Sequence, residues 1–178
     1  MNELKKKKCH QCKKPFIPFS SLAKTCSVEC SIIHVRGEKV KKQRRQDKLK
    51  KELLKTRGDW LRELQTIFNQ FIRLRDEGGV CISCQKLPKK KNAGHYRSVG
   101  ACPELRLNEL NVHLQCEACN TSLSGNLINY RINLIAKIGI KNVEYIEGPH
   151  EPLKLTIPDI KDLKVVYRDK IKEMESLK

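Results

Sequence analysis

The sequence predicts an α+β protein in which two small, cysteine-stapled segments are joined and flanked by helices. Three observations predict it. Eight of the nine cysteines in 178 residues fall into closely spaced pairs, the arrangement by which a small lobe is held together without a large core. Apolar residues recur at three- and four-residue spacing in three segments, the period of an amphipathic helix. Hydrophobic residues make up 39% and aromatics 5% of the chain, so the core is modest. The charge is just as informative: 37 Lys and Arg against 20 Asp and Glu leave +17. A field of that sign draws polyanions, and nucleic acid is the commonest polyanion a soluble protein meets. The longest apolar run, from Ile132 to Ile140, is short and broken by Lys137, and Met1-Asn2-Glu3-Leu4-Lys5 opens no apolar stretch of signal-peptide length. A membrane protein and a secreted disulfide scaffold are thereby disfavoured, and a cytoplasmic protein is expected.

Taken in order, residues 1–34 form an N-terminal lobe with four cysteines and the interrupted apolar run Pro15-Phe16-Ile17-Pro18-Phe19. Residues 35–57 form a basic connector, rich in Lys, Arg and Gln from Arg36 to Lys55. A solvated helix and a disordered linker are equal readings of that stretch, and the helix is the one adopted. Residues 58–178 form the main domain. Asp59 reads as an N-cap, followed by a stripe of Trp60, Leu64, Ile67, Phe68, Phe71 and Leu74 that ends at Gly78-Gly79. The stripe is expected to pack on the body of the protein, a dimer contact being the alternative. A second helix carries Leu127, Tyr130, Leu134, Ile135 and Ile138 and closes at Gly139. Gly148 to Pro152 reads as a turn. A last helix starts near Pro158 behind a Thr156 cap and carries Ile160, Leu163, Val166, Tyr167, Ile171 and Met174.

The cysteines form two quartets: Cys9, Cys12, Cys26 and Cys30, then Cys81, Cys84, Cys116 and Cys119. A CxxC pair puts two thiolates at the tip of one turn, and two such tips complete a tetrahedral zinc shell. Reduced thiols of the cytoplasm favour metal over disulfide. Two structural zinc ions are expected. Each shell is closed by four thiolates, so neither ion has an open position for chemistry. His10 is not needed as a ligand, and Cys102 reads as a small buried hydrophobe.

Between Cys84 and Cys116 stand Asn92-Ala93-Gly94-His95-Tyr96-Arg97 and Asn108-Glu109-Leu110-Asn111-Val112-His113-Leu114-Gln115, and Asn120 follows Cys119 directly. A CxxC, a Gly-His and an Asn-x-x-x-x-Cys-x-x-Cys-Asn leading towards a helix resemble the HNH, or His-Me finger, nucleases. The wording AGHYR…LRLNELNVHLQCEACNTSLSGNLINYR is similar to the NinG (Rap) recombination family of lambdoid phages, and the likeness covers most of the chain. The resemblance implies a zinc-stapled ββα-metal core with His95 on its first strand as general base. It implies Asn120, at the head of the helix, as a ligand to a catalytic Mg²⁺ or Mn²⁺, and Asn111 as the residue orienting His95. Most HNH enzymes carry an Asp immediately before the base, where this chain has Gly94. A hard cation prefers carboxylate or water oxygens, so Asn92, Glu117, a backbone carbonyl or the scissile phosphate must compensate. His113 reads as a packed residue outside the catalytic set. Taken singly, Asn120 reads equally as a helix cap and Asn111 as a turn residue.

Basic residues gather in Lys5 to Lys8, along the connector with Arg44 and Arg45, and in Lys89-Lys90-Lys91 just before the proposed strand. Contacts from such residues give affinity without sequence preference. Most of these lysines are equally accounted for as a solvated face. Arg97 is placed to hold a phosphate near the scissile bond, with Arg131 the weaker candidate. The family resemblance implies branched DNA as substrate (D-loops, Holliday junctions), 5′-phosphate and 3′-hydroxyl products, and action in a bacterial host cytoplasm. Recombination proteins and a second copy of the chain are compatible partners. The rival readings are a non-catalytic DNA-binding accessory protein and a zinc-containing protein adaptor.

Overall fold

Ser27 caps the longest element of the chain, its hydroxyl accepting from the Cys30 amide at 3.2 Å. The computed structural model describes residues 5–177, so Met1 to Leu4, part of the stretch read for a targeting signal, lie outside the described residues. The chain divides into two compact units, Met1–Lys55 and Thr56–Lys178.

In the first unit, β1 (Lys7–Lys8) pairs antiparallel with β2 (Pro15–Phe16) around a knuckle, and helix α1 spans Val28–Leu53. The basic stretch is therefore helix rather than disordered linker. It begins within the first cysteine quartet and crosses residue 34 without a break. None of its residues is buried, so good helix formers and side-chain pairs such as Lys41–Glu38 (2.9 Å) and Gln43–Asp47 (2.9 Å) sustain it.

In the second unit, α2 spans Arg57–Arg75. Its cap is Thr56, not Asp59: Asp59 stands three residues in, and the two residues bond each other's backbone amides as a capping box. The helix ends at Asp76, ahead of Gly78 with its φ of 79°. The last helix, α5 (Ile157–Ser176), repeats the device with Thr156 and Asp159. The α2 stripe packs on α5, as Trp60, Leu64, Phe68, Phe71 and Ile72 close on Ile160, Tyr167 and Ile171. Tyr167 meets the Phe68 ring edge-on at 5.1 Å, and the buried Lys164 lies over Trp60 while bonding Glu63 at 2.5 Å.

Packed against α2 is an antiparallel hairpin of β3 (Lys91–His95) and β4 (Val112–Cys116), in register from Lys91↔Cys116 to His95↔Val112. Val112 joins the α2–α5 core, with Ala93 packed against it. At Gly94 and His113 the hairpin meets α3 (Leu127–Ile138), whose Tyr130 hydroxyl donates to the Gly94 carbonyl at 2.9 Å and whose ring faces His113. α3 closes at Gly139 as expected, but φ 83° there turns the chain into a further helix, α4 (Ile140–Glu147), which the sequence did not announce. Tyr130, Leu134, Val143 and Ile146 build a second core with Ile82, Tyr96, Leu105 and the buried Cys102. The class is mixed α+β, with two short sheets among the described residues. Among the described residues no helix is long and apolar enough to cross a membrane.

Candidate functional site

Two knuckles share one backbone device. The residues after Cys12 and Cys84 turn left-handed, Lys13 at φ 61° and Gln85 at φ 57°. Each amide then donates back to the carbonyl of the first cysteine of its pair, Cys9 at 3.0 Å and Cys81 at 2.9 Å. The sulfurs of Cys9, Cys12, Cys26 and Cys30, and those of Cys81, Cys84, Cys116 and Cys119, each lie within 4.8 Å of one another. The Cys12–Cys26 and Cys84–Cys116 separations are 3.5 and 3.8 Å, close to the roughly 3.8 Å edge of a tetrahedron built on zinc–sulfur bonds of about 2.3 Å. All nine cysteines are free thiols, and the two closed quartets could each hold a structural zinc ion. The Asn126 amide donates to the Cys119 sulfur at 3.6 Å and the Cys119 N–H to the Cys116 sulfur at 3.4 Å, bonds that favour thiolate over thiol.

His95 ends β3. Its Nε2 lies 3.0 Å from the Arg106 carbonyl. A carbonyl only accepts, so Nε2 carries the proton and Nδ1 is left with the basic lone pair. Burial holds the His95 pKa below its ordinary value; the Arg106 carbonyl opposes that shift and the Arg106 charge adds to it. His95 opens on a cavity that it shares with Arg97, Ser98, Asn120, Ser124 and Leu127. The structure thus brings His95, Arg97 and Asn120 together.

Two residues stand otherwise than expected. Asn120 is not at the head of the following helix, since it sits in a single π-type turn, Ala118–Ser122, and α3 begins only at Leu127. Asn111 makes no bond to the His95 ring. Fully buried, its amide accepts from Arg97 N (2.8 Å) and donates to the carbonyls of Arg97 (3.0 Å) and Leu105 (3.2 Å). It orients the backbone on either side of the histidine, and the carbonyl that orients the ring itself belongs to Arg106. Arg106 carries no motif signature: only the one-turn 3₁₀ segment Pro103–Leu105 brings it to His95.

Comparison with known proteins follows the same residues. The family model described as Bacteriophage Lambda NinG protein matches residues 1–176. The chain belongs to the NinG family. It is 43% identical over 130 residues to protein ninG of Escherichia phage lambda, covering 72% of this chain and 64% of that protein. Protein ninG of Salmonella phage P22 is 43% identical over 128 residues, with 71% and 63% covered. Protein ninG of Escherichia phage 933W is 41% identical over 130 residues, with 72% and 65% covered. The match therefore spans a little under two thirds of these relatives' own length. No solved structure matches.

In this NinG-family chain the space beside Gly94 is already taken. A Cβ there would lie 2.9 Å from both Cβ and Cδ of Gln115, and closer still to its Oε1. Gln115 is fully buried and its amide nitrogen is anchored to Gly125 O (2.6 Å) and Ser83 Oγ (2.7 Å). Of the compensating oxygens, Glu117 is paired with Lys90, and among the described residues no carboxylate lines the His95 cavity.

The other candidates sort by their partners. Arg131 is bound through two nitrogens to Glu147 (2.7 and 3.0 Å), which also accepts from Tyr96, so its charge is already matched. Lys89 and Lys91 border a cavity with Arg73 beside α2. Arg44 and Arg45 are exposed on α1. His113, 3% exposed, has its Nε2–H on Leu110 O at 3.0 Å and accepts from Arg75 at 3.1 Å. Both ring nitrogens are engaged, which keeps it a packing residue. Arg75 also brackets Asp76, whose carboxyl is held well below the usual range: His113, Arg75 and the Leu114 amide outweigh its burial.

Proposed function

We propose that this chain is a divalent-metal-dependent DNA endonuclease acting on branched recombination intermediates such as D-loops and Holliday junctions. One observation carries the reading: an imidazole tied through Nε2 to a backbone carbonyl presents Nδ1 as a base, in an open cavity it shares with an arginine and an asparagine. Phosphodiester hydrolysis needs a base for water, a cation for the developing charge, and a hold on the phosphate. Nδ1 of His95 takes the proton from water, and its depressed pKa keeps it unprotonated at neutral pH. Arg97 holds a phosphate oxygen from a backbone clamped at both N–H and C=O by Asn111. The donors of the cavity fit a loosely held Mg²⁺ or Mn²⁺. Asn120 would supply an amide oxygen, and water and the DNA phosphate would complete the shell, since Mg²⁺ keeps waters and leans on substrate phosphate. The ion would stabilise charge on the phosphate and leaving oxygen, giving 5′-phosphate and 3′-hydroxyl ends.

The +17 charge, the exposed basic α1 and the Lys89–Lys91 segment supply affinity for DNA of any sequence. The branched substrate and the site of action, a phage-infected bacterial cytoplasm, follow from the family. The absence of a carboxylate from the cavity favours one second reading, a DNA-binding recombination accessory protein without catalysis.

The deciding experiment incubates zinc-loaded protein with a labelled four-way junction, a D-loop and a linear duplex, with and without Mg²⁺ or Mn²⁺, beside His95→Ala. Cutting of the branched DNA that needs the ion and vanishes in His95→Ala supports the nuclease. Binding without cutting in every metal moves the assignment to the accessory protein.

A further inference from the structure

We propose that the Arg106 side chain is a phosphate-binding group beside His95, paired with Arg97 as a second cationic hold on the DNA backbone. The inference rests on the DNA-directed reading above, and it adds a residue that neither motif nor spacing assigns.

Four of the eight arginines of the second unit bond an internal acceptor through the side chain. Arg57 donates to Leu155 O, Arg62 to Asp59, Arg75 to Asp76 and two carbonyls, and Arg131 to Glu147. Arg106 is only partly exposed, yet its guanidinium has no carboxylate or carbonyl partner among the described residues, and its Nε is buried without an acceptor. A buried donor left unpaired is costly. A guanidinium presents donors in a planar fork that matches two phosphate oxygens. An arginine kept in that condition is poised for an anion that arrives from outside.

The backbone that carries it is fixed in advance. Arg106 O receives the His95 Nε2–H, and Leu105 O, one residue earlier, receives the Asn111 amide. The same amide grips Arg97 on both sides of its backbone. One buried asparagine thus sets the two chain segments that bear the arginines on either side of the histidine. From the far side, the Tyr167 hydroxyl of α5 reaches Leu107 O at 3.5 Å. With the backbone set before the ligand arrives, only the arginine side chain is left to be ordered when it binds. The Arg106 charge is also felt by the imidazole, where it opposes protonation, in keeping with a cation close to the base.

The test is direct binding, run without divalent ion so that cutting plays no part. A fluorescent four-way junction is titrated with the full zinc-loaded chain, Arg106→Gln and Arg106→Lys, between 50 and 200 mM salt, and the melting temperature of each protein is recorded. Arg106→Gln is expected to weaken binding about tenfold and to flatten the slope of log K against log salt by about 0.9, the share of one phosphate on duplex DNA. Arg106→Lys keeps the charge but not the fork, so its slope should stay near wild type while affinity falls by a smaller factor. Because the arginine is unpaired in the free protein, Arg106→Gln should melt no lower than wild type. Unchanged affinity and slope in Arg106→Gln would overturn the inference. So would a clear loss of melting temperature, which marks a structural arginine. Failure of the nuclease reading shows separately, as an uncut junction in Mg²⁺ and Mn²⁺, and leaves the binding result standing.

Discussion

Gln115 fills the room that a side chain at residue 94 would need. The two residues lie on the same face of the β3–β4 hairpin, one register step apart, with Gln115 opposite Asn92 and Gly94 opposite His113. The buried amide of Gln115 spans from β4 to Gly125 and Ser83, and its Oε1 rests against the bare α-carbon side of Gly94. A carboxylate at the position before His95 would collide with this polar strut, which joins the hairpin, the second knuckle and the turn before α3.

That relationship is testable by a double-mutant cycle. Gly94→Ala should destabilise the zinc-loaded protein by roughly 1–3 kcal/mol, the usual cost of overpacking a tight interior. In a Gln115→Ala background the same substitution should cost less by at least about 0.5 kcal/mol, since the clashing amide is gone. Urea unfolding of the four proteins measures the coupling, and strict additivity would contradict the packing described.

Asn111 makes three buried hydrogen bonds to backbone groups around the site. Asn111→Ala leaves the Arg97 amide and two carbonyls without their partner, at about 1 kcal/mol each, so a loss of roughly 2–4 kcal/mol is expected. Asn111→Asp sets a buried carboxylate oxygen against the Arg97 and Leu105 carbonyls and should cost at least as much as Asn111→Ala at neutral pH. Thermal or urea unfolding ranks them.

Zinc should be present at two equivalents per chain and fall to one in either Cys26→Ser or Cys116→Ser. The consequences differ because the quartets lie in different units. Cys116 ends β4, so its loss should unravel the hairpin and abolish cutting, whereas Cys26→Ser should leave the α2–α5 core folded. Metal analysis with circular dichroism distinguishes the two outcomes.

The pH dependence follows from the direction of the His95 shift. Burial, aided by the Arg106 charge, holds its pKa below the ordinary 6.5. A base with a lowered pKa stays neutral further into acid, so single-turnover cutting should fall along an acid limb whose midpoint lies below pH 6.5. Stability has the same sense. The neutral ring is favoured in the fold, so its contribution is present above 6.5 and lost as pH falls through the folded value. Arg106→Gln removes a charge that opposes protonation and should move the acid limb upward. A wild-type limb at pH 7 or above, with zinc retained, would contradict the assignment.

The sequence by itself determined what is local. Capping residues, apolar spacing and CxxC turns act within a few residues of themselves, so α2, α3 and α5 and both cysteine quartets were legible one segment at a time. Even there, Thr56 rather than Asp59 took the cap, because the two residues bond each other and either can pass for the cap in the sequence. Only the tertiary structure decided the long-range pairings. Helix α4 forms because Val143 and Ile146 find a core made by Tyr130 and Leu134. Asn111 serves the Arg97 backbone rather than the imidazole, since a turn fourteen residues away is folded back upon it. Arg106 reaches His95 across eleven residues by a bond from the ring to a main-chain oxygen. Every residue has such an oxygen, so no choice of side chain could mark which one would be used.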